Sequence, residues 1–322
     1  MSQTNNKAIF GRVLLLLVTI AWGSSFIVLK DTLTTLGNGN FTFFILALRF
    51  LISGLILSII CYKRLISIKK STFFKGLFLG VILFCAYGIQ TVGLRYTTPS
   101  KNAFLTAVYV VLVPFLSWLF LSTKPVLRHY VGAVICMVGI AFVAIIGKNE
   151  HASKEFLGDL LSLASGIFYA FQIIYISKHA ENEDAIQLLI IEILTVSVLC
   201  VGVTGIFEFP LHYQEFSIPQ GFLWKIAYLA VVCTLFAQFG QMIAQKYTPP
   251  TAVAILFSFE AVFGVLFELI FGKAEITYYL VIGFTLIFIS EIISEVGIKK
   301  LLGLLKNKEK QIITDNSENN ID

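Results

Sequence analysis

Of 322 residues, 57% are hydrophobic and only 13% are charged, with a mean hydropathy of +0.86. So much apolar surface cannot be hidden inside a water-soluble domain, which excludes a soluble enzyme and points to a membrane protein. The net charge of +5 falls in the connections between apolar runs, where it speaks to membrane topology and anionic lipid and gives no support to nucleic-acid binding.

The polar start, residues 1–7, leads into a first apolar run at 9–29 that is too long for a signal peptide and lacks a small-residue cleavage pattern, so it is expected to remain as helix 1. Helix 2 follows at 41–61, helix 3 at 73–94, helix 4 at 102–121 and helix 5 at 130–146. A polar link at 148–155 separates these from helix 6 at 158–176, helix 7 at 186–207, helix 8 at 222–245, helix 9 at 251–271 and helix 10 at 277–296. Most runs reach the roughly 20 residues that cross about 30 Å of hydrocarbon. They are continuous rather than alternating, which favours helices over a barrel. Pro114 is expected to kink helix 4 midway. The charged, Asn-rich residues 303–322 read as a disordered cytoplasmic tail.

One pattern occurs twice. Ala86, Gln90, Tyr96, Thr97, Pro99, Ala103, Leu105 and Val111 recur 151 positions later as Ala237, Gln241, Tyr247, Thr248, Pro250, Ala254, Leu256 and Val262. Each copy spans a helix, a turn and a helix, and the two turns, 96–99 and 247–250, are candidate gates. With the N-terminus cytoplasmic, sixteen Lys and Arg residues fall on that side and seven on the other, so both termini are expected inside. Because each half has five helices, the second copy runs through the membrane upside down. Inverted repeats of this kind let many secondary transporters reach inward-open and outward-open states from one pattern.

Few polar groups lie at membrane depth, where each costs about 2.5–3.5 kcal/mol on insertion scales. Glu260 sits ten residues into helix 9 and is a candidate coupling site or ammonium site; the alternative is a protonated carboxyl bonded to a neighbouring helix. Arg49 and Glu192 lie at comparable depths in helices 2 and 7 and are candidates for a buried ion pair, with an anion clamp as the other role for Arg49. Gln238, Gln241 and Gln245 share one side of helix 8, matched by Tyr87 and Gln90 on helix 3. Ser25 and Gln172 extend this polar lining, and Trp22, Tyr109 and Tyr169 offer aromatic walls. Glu268, Glu291 and Glu295 are assigned to positions near the cytoplasmic ends. Gly132 and Gly139 in helix 5, with Gly283 and Ser290 in helix 10, suit close packing or a dimer contact. The five cysteines form no CxxC pair and the four histidines stand singly, so no metal or other cofactor is expected.

Trp22 to Phe26, Leu48 to Phe50, the stretch from Tyr96 to Leu105 leading to Pro114, Tyr169 with Ala170, Glu260 to Phe263, and Gly283 with Leu286 and Ile287 together resemble the EamA family of the drug/metabolite transporter superfamily. Ala261 departs from the proline that usually follows the glutamate, and Lys273 stands where a glutamate is common. The resemblance implies an all-α polytopic protein of ten transmembrane helices in two inverted five-helix repeats, here 1–148 and 149–302. It further implies export of small organic metabolites, amino acids or drug-like solutes, across a bacterial inner membrane, with no catalysis. Only Arg49 and Lys101 offer positive charge inside, so uncharged or zwitterionic cargo is expected, with protons and a homodimer as further partners. The rival reading is a membrane-embedded enzyme or scaffold acting on lipid-linked substrates.

Overall fold

The computed structural model describes residues 2–122, 124, 126–145, 152–272 and 277–296. The expected tail, Lys273 and the side chains of Glu291 and Glu295 lie outside the described parts. Among the described residues, ten long helices make up most of the structure: α1 Ser2–Thr35, α2 Thr42–Ile60, α3 Lys70–Tyr96, α4 Pro99–Leu121, α5 Leu127–Ile145, α6 Ala152–His179, α7 Ala185–Glu215, α8 Phe222–Ala244, α9 Pro250–Ile270 and α10 Tyr278–Val296. Eight are long and apolar enough to cross a membrane, and α5 and α10 contain the shorter apolar helices Leu127–Gly139 and Val281–Ser290.

Local chemistry sets the ends. Asp184 caps α7 by accepting from the backbone N–H groups of Ile186 and Gln187 at 2.9 and 3.3 Å, satisfying donors that a helix start leaves free. Thr98 does the same for Lys101 at the start of α4, where Pro99 occupies the first turn. Gly272, at φ +63°, lets the chain leave α9 in a left-handed conformation that a Cβ would resist.

Three helices are interrupted. α4 breaks between Pro99–Thr106 and Tyr109–Leu121, about two turns before Pro114, which lies inside the second segment. At the break the backbone of α6 comes so close that a Cβ on Gly166 would stand 2.5 Å from the Thr106 carbonyl. α7 passes through a π-turn at Thr204–Glu208 and α8 through another at Val231–Phe236. In α8, Thr234 turns its hydroxyl back to the Leu229 carbonyl at 2.8 Å.

The packing repeats on exchange of the two halves. α1 packs on α9 as α6 packs on α4, α1 on α8 as α6 on α3, and α3 on α7 as α8 on α2, while α2–α7 and α5–α10 are pairs of counterparts. This is the signature of two five-helix repeats related by a two-fold axis, inverted because five is odd. Small residues allow the close crossings: Gly93 of α3 and Gly158 of α6 each face the other's backbone, and Gly139 of α5 faces the Gly283 carbonyl of α10.

Candidate functional site

Between the halves lies a cavity whose walls come from α1 (Trp22, Ser25, Phe26, Leu29), α2 (Arg49), α3 (Tyr87, Gln90, Thr91, Leu94), α4 (Thr106, Tyr109), α6 (Tyr169, Gln172, Ile173) and α9 (Phe257, Glu260). The space is narrow, about 20 Å³, which is room for about one water. Of the residues singled out in the sequence, Trp22, Ser25, Arg49, Tyr87, Gln90, Tyr109, Tyr169, Gln172 and Glu260 line it. Gln238 and Gln241 stand one layer behind. Gln238 donates to the Tyr87 hydroxyl at 3.3 Å and Gln241 to Gln172 Oε1 at 3.2 Å, so α8 orients lining groups without lining the cavity itself.

The walls are cross-braced. The Tyr169 hydroxyl donates to Gln90 Oε1 at 2.7 Å, Gln90 Nε2 to Thr106 Oγ1 at 3.2 Å, and Trp22 Nε1 to the Cys233 carbonyl at 3.1 Å. Trp22 meets Phe257 edge-on at 4.9 Å, and Tyr87 meets Tyr169 at 5.7 Å. Among the described residues Glu260 has no hydrogen-bond or ion-pair partner. Thr106 and Phe257 escaped sequence reasoning, although they too are separated by the repeat offset of 151, as are Tyr109 and Glu260.

The expected Arg49–Glu192 pair does not form. Arg49, fully buried, donates from Nε to Thr234 Oγ1 at 2.8 Å and from Nη2 to the Cys233 carbonyl at 3.2 Å. The π-turn of α8 supplies both acceptors, the Thr234 hydroxyl and the Cys233 carbonyl, and only the second is a group that a regular helix would use internally. Glu192, equally buried, instead accepts from Gln172 Nε2 at 2.9 Å. Neutral amide and backbone partners have taken the place of the opposite charge, and no compensating charge is bonded to either group.

Past Leu29 and Leu94 the cavity ends beneath a polar plug. Lys101 pairs with Asp159 at 2.9 Å, Thr97 donates to Asp159 at 2.9 Å, and Lys30 Nζ donates to the carbonyls of Leu94, Arg95 and Thr97 at 2.7–3.0 Å. Glu268 accepts from the Ser100 N–H at 3.1 Å. This corrects the expected placement of Glu268, because α9 runs away from the Lys63 and Arg64 end and its last turn lies at the opposite face. At that other, more basic end, Asp184 pairs with Arg64 while Glu183 accepts from Ser71, Thr72 and Lys75. These donors, Lys75 foremost, hold the Glu183 carboxyl down at about 2, below its usual 4.5. A depressed acid stabilises the fold fully above the unfolded value and loses that contribution as pH falls through the folded one. Glu183→Gln should therefore cost about 1 kcal/mol near pH 7. In melting curves between pH 7 and 3, its deficit against wild type should begin to shrink below about pH 4.5; a deficit independent of pH would contradict the assignment.

A ten-helix membrane bundle with inverted halves around a midway cavity has the build of a membrane transporter. The EamA-like transporter family model matches residues 9–145 and again 156–294, and the chain belongs to that family. It is 28% identical over 263 residues to an uncharacterized transporter of Archaeoglobus fulgidus, covering 81% of this chain and 78% of the relative. Against the uncharacterized transporter YvbV of Bacillus subtilis it is 25% identical, covering 68% and 70%. Solute carrier family 35 member F2 of Xenopus tropicalis is 24% identical over 59% of this chain and 51% of its own length. A solved crystal structure with 15% identity superposes over 90% of this chain and 98% of its own at a TM-score of 0.68, which supports the fold.

Proposed function

We propose that this membrane transporter is a secondary carrier that exports small organic metabolites, amino acids or drug-like solutes, across a bacterial inner membrane by alternating access. The observation that carries the reading is the cavity between the inverted halves, lined by matched positions of both and covered by polar contacts at its far end. The lining is not symmetric, since Tyr87 and Gln90 face the space while their counterparts Gln238 and Gln241 stand behind it. Exchanging those roles would move the cavity toward the basic end, which is the change alternating access requires. In this reading both termini are cytoplasmic, residues 1–148 and 149–302 are the two moving repeats, and the cargo is uncharged or zwitterionic. Protons are the coupling ion and the α5–α10 pair is a dimer contact.

The test is an untargeted comparison of metabolites released by cells with and without the protein, followed by flux of the released solute in proteoliposomes with and without a pH gradient. Release that depends on the chain, and flux that responds to the gradient, are expected. Equal release from both cell types would remove the transport reading.

A further inference from the structure

Arg49 is the unresolved charge of the cavity. A guanidinium stays protonated in proteins, so burial cannot neutralise it as it can a carboxylic acid or a lysine. Its side chain is fully buried, Nε and Nη2 are taken by neutral acceptors, and Nη1 is buried without a hydrogen-bond partner. No carboxylate pairs with it among the described residues. Two ring faces lie nearby, with the guanidinium carbon 5.1 Å from the Tyr87 centroid and 5.5 Å from that of Phe50. Rings attract a cation but do not cancel its charge. A single buried charge left uncompensated ordinarily destabilises a protein strongly, so a position that keeps one beside a solute cavity calls for the missing anion to arrive with the solute.

We propose that Arg49 Nη1 is the anchor for a carboxylate on the transported solute, so that the cargo is a small monocarboxylate, free or within a zwitterion. This rests on the transport reading above, drops the uncharged cargo from it and adds small carboxylate anions to the zwitterions. Planar carboxylates suit a guanidinium better than any other biological anion except phosphate. Phosphate-bearing solutes are disfavoured because the cavity offers one cation and also contains the Glu260 carboxyl. The aromatic walls, Trp22, Tyr109, Tyr169 and Phe257, fit an apolar remainder of the solute. The narrow space must widen to admit it, which the carrier cycle supplies.

The experiment is equilibrium dialysis of the purified full chain against four matched probes: leucine, 4-methylpentanoate, leucinamide and 4-methylpentanamide. The two carboxylates should bind at least tenfold more tightly than their amides, and Arg49→Gln should reduce that preference to near one. Should Arg49→Gln fail to fold, Arg49→Lys retains a cation without the planar fork and should lose most of the preference. Equal binding of acids and amides, no binding of any probe, or an unchanged preference in the variant that folds would each overturn the proposal. Chain-dependent release of solutes without a carboxylate would overturn it while leaving the transport reading intact. A retained carboxylate preference without any flux would remove the transport reading alone.

Discussion

Glu260→Gln is expected to reduce pH-gradient-driven transport to the level of protein-free liposomes while leaving the fold intact. The carboxyl lines the cavity and has no bonded partner among the described residues, so its charge when the cavity is closed must be balanced by a proton or by a cation on the cargo. Burying an isolated carboxylate in a low-dielectric site is far costlier than burying the neutral acid. Glutamine has the shape of the neutral acid and retains hydrogen-bonding capacity, so the closed state loses little and stability should change by less than about 1 kcal/mol. What glutamine cannot do is take up and release a proton. Exchange of labelled for unlabelled solute without a gradient should therefore survive in the variant when the proton is the only role of Glu260, and should fail as well when the carboxylate also holds a cargo ammonium. Uptake that still follows the pH gradient at the wild-type rate would remove Glu260 from coupling altogether.

How much of this was legible in the sequence depended on the length scale of the force involved. The ten helices follow from apolar runs in hydrocarbon, where the backbone has no alternative to internal hydrogen bonding, and the inverted halves follow from the 151-residue offset and an odd helix count. The lining residues named from the sequence were legible for a related reason: strongly polar side chains within apolar runs are few, and Arg49, Gln90, Gln172 and Glu260 all line this cavity. The failures are local and geometric. Arg49 and Glu192 have opposite charge and similar depth, which is all a sequence can weigh. The π-turn that turns Cys233 O and Thr234 Oγ1 toward Arg49 has no signature in the run Val231–Phe236. Pro114 drew attention as the residue that breaks helices, yet the break lies where Gly166 lets α6 press against Thr106. That close approach is between distant segments, and no window of neighbouring residues contains it. Glu268 was misplaced by bookkeeping rather than physics, because the same inversion that reverses the second half sends the last turn of α9 to the far face.

The plug at that face leads to the second large effect. Asp159→Asn should open the far end of the cavity. Asp159 is the counter-ion of Lys101 and the acceptor for Thr97, and the pair is nearly enclosed, with 9% and 13% of the two side chains exposed. Removing one partner of a buried pair costs roughly 3–5 kcal/mol because the other charge remains. Here the penalty need not unfold the protein. Lys101 lies in the first turn of α4 and Asp159 near the start of α6, so separating these ends returns both to water, and the loss falls on the closed state alone. Each 1.4 kcal/mol is a factor of ten in a two-state equilibrium, so even 3 kcal/mol shifts the closed-to-open ratio by about a hundredfold. Polar groups that normally lie beneath the plug report the change. A cysteine placed at Ser100, which is 8% exposed, should react slowly with a membrane-impermeant maleimide in the wild-type background and many times faster with Asp159→Asn. Transport should fall, because a carrier held open at one end completes the cycle slowly. Lys101→Met in the same chain removes the orphaned ammonium and should restore much of the protection, since two neutral groups in place of a buried pair cost far less than one charge left alone. Unchanged labelling in Asp159→Asn would show that the plug is held by Lys30 and Glu268 instead, and that the Lys101–Asp159 pair is not the latch.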